Sequence, residues 1–194
     1  LHLCNKNFPN MNSKDSSKAK NDLLVDVCYA AIHEGESLVK QYEEHKKKEN
    51  TNFNTNICTV LARSFADIGD IVRGKDLYRG YDDEEKKQRD QLESKLKEIF
   101  GDIYNELTKK KWKNVEALKD RYKKDGDNFF QLREDWWTVN RDQVWKAITC
   151  DDRLGGNAYF RNSSNRVYLF TDGQCGHKQA NVPTYLDYVP QHLR

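Results

Sequence analysis

Three stretches of the chain bring reactive residue types close together. Cys175-Gly176-His177 sets a thiol near an imidazole, the raw material of nucleophilic catalysis. Asp67 and Asp70, in ADIGDIV, place two carboxylates about one helical turn apart, where they could share a cation or a proton. DGDNFFQLRE, from Asp125, opens like a calcium loop. Each lacks a part. No nucleophile, base and orienting group converge around Cys175, which reads better as a bridge cysteine. The aspartate pair has Gly69 between its members and no histidine nearby, so a solvated or salt-bridged helix face is the simpler reading. The calcium-like run lacks the glycine its sixth position requires. His33 and Glu34 share a helical stretch without the second histidine of a zinc protease motif, which leaves His33 a surface or satisfied histidine. No catalytic residue, metal site or cofactor follows, and the chain is not expected to be an enzyme.

One feature survives. KKKWKNVEALKDRYKK, residues 109–124, carries eight Lys/Arg and two Asp/Glu, a local net charge of +6 within a chain of net +2. An anionic polymer would be drawn to Lys109, Lys110, Lys111, Lys113, Arg121, Lys123 and Lys124 by release of its counterions. An ordinary solvated helix is the plainer alternative.

The elements that must position these residues are helical. Leu24, Val27, Cys28, Ala31, Leu38 and Tyr42 fall close to one face of a long first helix. Thr55 or Asn56 can cap a second, in which Ile57, Val60, Leu61, Ser64, Phe65, Ile68 and Val72 repeat at helical spacing. Gly74 and Gly80 mark the turn after it. Leu92, Leu96, Ile99, Ile103 and Leu107 line a third long helix from Asp83, and Val115, Leu118 and Tyr122 a shorter fourth. REDWWTVNRDQVWKAITC, residues 133–150, belongs to the last long helix and holds three of the four tryptophans. Phe130, Trp137, Val144 and Ile148 form its stripe, Trp136 and Trp145 flank it, and Arg133, Asp135, Arg141 and Asp142 face elsewhere. Rings in that register belong to a core, not to an exposed stacking platform. Two short aromatic and β-branched runs follow around an Asn/Ser turn, the pattern of a small hairpin.

At 194 residues the chain can bury roughly 70% of its unfolded surface. Charged residues make up 33% and the mean hydropathy is -1.00, which fits a mainly helical fold with a heavily solvated surface. No apolar run approaches the ~20 residues of a membrane-spanning helix, so this segment is expected to be soluble. Both ends read as cuts. The five cysteines, Cys4, Cys28, Cys58, Cys150 and Cys175, form no CxxC or tight Cys/His cluster. Two internal bridges with one cysteine left over, or buried free thiols of a reducing compartment, both fit that spacing.

Three blocks are more specific: ICTVLARSFADIGDIVRGKDLYRG, REDWWTVNRDQVWKAITC and NVPTYLDYVPQHLR. Together, in that order, they resemble the Duffy-binding-like domain, alpha class, of the variant erythrocyte membrane proteins that malaria parasites export to the infected red cell. The resemblance runs from about Leu3 to Arg194. It implies an all-α, disulfide-linked bundle of long helices, with residues 1–194 as the central of three subdomains and the first and third absent. It implies adhesion in place of catalysis: host red-cell glycans, heparan-sulfate-like polymers, host receptor proteins and antibodies as partners, rosetting and antigenic variation as context, and no nucleic acid. The segment would then be extracellular, on the infected erythrocyte, within a membrane-anchored parent. The same resemblance pairs Cys58 with Cys175 and Cys28 with Cys150, and leaves Cys4 for the missing first subdomain. Asn162-Ser163-Ser164 matches a glycosylation acceptor.

Overall fold

A computed structural model describes residues 19–48, 56–78, 82–109, 114–162, 168–171 and 173–194. Among them are five α-helices: α1 (Ala19–Lys48), α2 (Ile57–Arg73), α3 (Asp83–Leu107), α4 (Val115–Tyr122) and α5 (Phe130–Ile148). Strands β1 (Phe160–Asn162) and β2 (Tyr168–Phe170) follow, paired antiparallel with Phe160 opposite Phe170. The fold is helical, with the expected small hairpin after the last helix. Its residues divide into two compact units, one built on 25–68 and 140–194, the other on 69–139 with the start of α1.

In the first unit the side chain of Asn56 caps α2, accepting from Cys58 N at 2.8 Å, and its amide donates to Ala158 O at 2.9 Å. Cys58 and Cys175 form a disulfide across 117 residues, which places Cys175 in a bridge and not in a catalytic pair. Cys28 and Cys150, the other expected pair, are both buried in this same unit. Trp145 packs edge-on against Phe65 at 5.2 Å and Tyr159 at 6.2 Å. Arg141 clamps both oxygens of buried Asp187 at 2.7 Å and donates to Thr184 O at 2.8 Å, which fastens the C-terminal strap to α5.

The buried row of α1 is Leu23, Val27, Ala31 and Val39, with Gly35 completing the four-residue spacing. Leu24, Leu38 and Tyr42, expected on that face, are only half-buried. Gly35 gives the reason: a Cβ there would collide with the carbonyl of Ile148, so the backbones approach where the side chain is missing. The row is therefore centred on the glycine, one position away from the apolar pattern.

In the second unit Gly69, in α2, admits the indole of Trp137, whose Cζ2 would lie 2.8 Å from an added Cβ. Trp136 meets Phe100 edge-on at 6.1 Å. Asp82 caps α3 by accepting from Glu85 N at 2.8 Å. Three expectations fail here. Leu92 (45% exposed) and Phe130 (47%) leave the core, because α3 buries Leu96, Phe100 and Ile103, and Phe130 is the first residue of its helix. The aspartate pair takes the salt-bridged form expected of it: Asp70 is buried against Arg73 at 2.9 Å, and exposed Asp67 meets Arg194 at 3.0 Å. Arg133, placed on the outer face by its charge, is fully buried because carbonyls and a carboxylate await its guanidinium.

Candidate functional site

The basic stretch begins where α3 ends. Lys109 follows the C-cap Thr108, and its ammonium pairs with Glu106 one turn back. Lys110, Lys111 and Lys113 lie outside the described residues, as does Cys4. α4 then buries Val115 and Tyr122 and leaves its cations to solvent. Lys119 Nζ stands 3.5 Å from Glu116 Oε1.

Arg121 is held more firmly. Its Nε and Nη2 donate to the two oxygens of Asp135 at 2.6 and 2.7 Å, a bidentate fork. Tyr122 Oη donates to Asp135 Oδ2 at 3.0 Å, and Gln131 Nε2 to Oδ1 at 3.1 Å. The Arg121 hydrogen bonds hold the Asp135 carboxyl below its ordinary range, opposed by burial and aided by Tyr122 and Gln131. Burial and then Asp135 push the Tyr122 hydroxyl up, and Asp135 likewise raises the Arg121 guanidinium.

Two of the seven cations read from the sequence, Lys109 and Arg121, are thus matched by carboxylates. Lys123, the C-cap of α4, and Lys124 are exposed and form no ion pair among the described residues. Counting charge inside a window missed this, because Glu106 and Asp135 both lie outside it. The one available signal was the Gln131–Asp135 spacing, which puts a carboxylate on the first turns of α5, 14 residues from Arg121.

Asp125, the first acid of the calcium-like run, has another task. Its carboxylate accepts from Gln131 N at 2.6 Å and Leu132 N at 2.9 Å, capping the start of α5 across a tight 126–129 turn. Among the described residues no three His, Cys, Asp or Glu side chains are grouped to hold a metal ion. His177 Nδ1 lies 3.1 Å from Thr149 Oγ1; burial, then Lys146 and Lys178, pushes the imidazole down. Trp136, Trp137 and Trp145 are all buried and offer no outward stacking face. The arrangement can hold an anion at exposed lysines, but it assembles no reacting centre.

The model of the Duffy binding domain matches residues 1–194. No curated protein matches the chain. Among solved structures it is similar to the NTS-DBL1(alpha-1) domain of the Plasmodium falciparum membrane protein 1 (PfEMP1) of the varO strain, at 42% identity and a TM-score of 0.68 over 89% of this chain. The varO double domain of NTS-DBL1-alpha and CIDR-gamma gives 44% and 0.70, again over 89%. The DBLbeta domain of PfEMP1 IT4var13, solved bound to ICAM-1, gives 32% and 0.60 over 92%. The chain spans only 35%, 23% and 38% of those three chains. A family match over every residue, with identities that rise from the beta-class to the alpha-class neighbours, leads to one assignment: the chain belongs to the Duffy binding domain family.

Proposed function

We propose that this chain is an adhesion module, the central subdomain of an alpha-class Duffy-binding-like domain, which engages a host-cell receptor or anionic glycan and catalyses no reaction. The observation that carries the reading is the beta-class neighbour at 32% identity whose structure holds ICAM-1. A fold that presents charged helix faces from a buried aromatic core lets its surface vary while the core is kept. Exposed Lys123 and Lys124, with Lys109 to Lys113 beside them in sequence, supply the cationic surface. Host glycans, receptor proteins and antibodies are its partners, met at the surface of the infected erythrocyte.

The test is binding to immobilised heparin and to red cells across a salt series, beside a variant with Lys123 and Lys124 reversed to Glu. Steeply salt-dependent binding that the variant loses supports the module; a folded chain that binds neither contradicts it. A second reading has its own support. Glu106, Glu116 and Asp135 neutralise Lys109, Lys119 and Arg121, which favours a scaffold whose binding is carried by neighbouring subdomains. Absence of binding at every salt concentration would mark that scaffold. The pairing of Cys28 with Cys150 belongs to the same proposal, and peptide mapping without reduction checks it: the two cysteines are expected in one linked fragment, and a Cys28–Cys58 link would overturn it.

A further inference from the structure

We infer that the Asp125–Gly126 peptide is a site of spontaneous backbone isomerisation, and that the cap Asp125 makes on α5 is what holds the reaction off. Both points stand apart from the adhesion reading, because they follow from the chemistry and geometry of one turn.

Aspartate followed by glycine brings the two reactants together. The backbone nitrogen of Gly126 can attack Cγ of Asp125, and glycine carries no side chain to shield it. A C–N bond forms, the Cγ–OH bond breaks and one water leaves, which closes a succinimide ring. Water then opens the ring at either carbonyl. Opening at Cγ restores aspartate; opening at the former main-chain carbonyl gives isoaspartate, whose backbone runs through Cβ and Cγ. Gly126 is exposed, with φ at +57°, and a Cβ built on it would meet nothing within 4 Å. Among the described residues no packing covers that position.

The closed turn nevertheless has the wrong shape for attack. A planar ring needs the Gly126 nitrogen to eclipse Cβ of Asp125, which sets ψ near about −120° for a reactive conformer. The turn holds Asp125 at ψ −26°. Cyclisation also needs one carboxyl oxygen to carry a proton, so that it can leave as water. Here Oδ1 accepts from Gln131 N at 2.6 Å and Oδ2 from Leu132 N at 2.9 Å, so both oxygens are engaged as acceptors.

The cap restrains a turn under strain. Phe129, at its end, takes φ 53° and ψ 35°, a left-handed conformation that an aromatic residue adopts at a cost. Gln131 N and Leu132 N are donors that the first turn of a helix cannot pair within itself, so releasing Asp125 loosens the start of α5. Such end turns open locally, well below the free energy of global unfolding. An isoaspartate formed during an opening cannot restore the cap: its main chain is one carbon longer and its carboxylate sits directly on Cα. The modification therefore makes the opening permanent.

The experiment holds the 194-residue chain at mildly acidic pH and body temperature, folded or in guanidinium chloride, and counts isoaspartate by methyl transfer from S-adenosylmethionine with isoaspartyl methyltransferase. Tryptic peptides ending at Arg133 carry Asp125 apart from the other Asp–Gly pair, Asp172–Gly173, and electron-transfer fragmentation places the modified residue. Isoaspartate is expected at Asp125 in the unfolded chain, and at least about tenfold more slowly in the folded one. Gln131→Pro removes one donor in a first helical turn, where proline is tolerated, and should raise the folded-state rate several-fold. Asp125→Ser, which keeps a capping oxygen, should abolish the product. If Gln131→Pro fails to fold, denaturant below the unfolding transition carries the test: the rate should rise there together with hydrogen exchange at the Leu132 amide. No product at Asp125 in the unfolded chain would overturn the site. Equal rates in the folded and unfolded chains, a rate that Gln131→Pro leaves unchanged, or one that rises only with global unfolding would overturn the role of the cap.

Discussion

Arg133 and Arg121 belong to the same unit, and each ends on a carboxylate, yet they do opposite work. Arg133 is fully buried. Its Nε donates to Val72 O at 2.6 Å and its Nη2 to Ile71 O at 3.1 Å, carbonyls in the last turn of α2, of which Ile71 O also accepts from Gly74 N at 3.1 Å. Both Nη atoms then grip Glu93 of α3 at 2.8 and 2.9 Å. One side chain closes a helix end and ties three helices together. Arg121 makes an equally good fork to Asp135 but stands half in water, where much of the pair's worth is screened. What a charge does here is decided by which backbone groups would be orphaned without it.

The sharpest way to break that contrast is to remove each guanidinium. Arg133→Met leaves the Val72 carbonyl and Glu93 without their donor inside the packed unit, and should cost about 3–5 kcal/mol in urea unfolding. Arg121→Met should move the midpoint hardly at all. Similar losses from the two variants would show that burial does not separate them.

A smaller effect tests whether the interior around Arg133 is tightly fitted. Gly69→Ala places a methyl 2.8 Å from Trp137 Cζ2, and a fully buried indole has little room to retreat. The expected loss is about 1–3 kcal/mol, despite the better helix propensity of alanine. A gain in melting temperature would mean that the ring shifts freely and that the packing is loose. Glycine sits in the middle of a helical pattern at a propensity cost, so its reason has to be tertiary, and Trp137 supplies it.

The comparison also explains what could be read before any coordinates. Ile57, Leu61, Phe65, Trp137, Val144 and Ile148 announce themselves because an apolar stripe at helical spacing has one use, and all six are buried. Charge alone places Arg133 outside. Period and polarity carry no record of a partner 61 residues away, such as Val72 O for Arg133. Leu92 and Phe130 failed for the converse reason: the pattern continued into positions that the neighbouring elements do not cover. In the basic segment a window of sixteen residues counts the cations correctly and misses Glu106 and Asp135, which lie outside it on α3 and α5.

The faintest effect concerns Asp135, and it separates two titrations. Its carboxyl is held below the ordinary value of 3.8, chiefly by the Arg121 hydrogen bonds. The folded state therefore binds its proton less readily than the unfolded chain does. The stability this contributes is present above 3.8 and is lost as pH falls through the lower folded value. His177 works in a different window. Burial and the charges of Lys146 and Lys178 hold it below 6.5, so its stabilising neutral form is opposed from about that pH downward. Asp135→Asn removes the lower window and leaves the upper one, because His177 lies in the other unit. Urea midpoints measured from pH 7 to pH 2 should run parallel for the parent and the variant down to about pH 4, then converge as the parent loses its ionised Asp135. If the curves stay parallel to the lowest pH, the fork to Arg121 adds nothing that an amide does not, and the exposed arginine is a bystander in the fold.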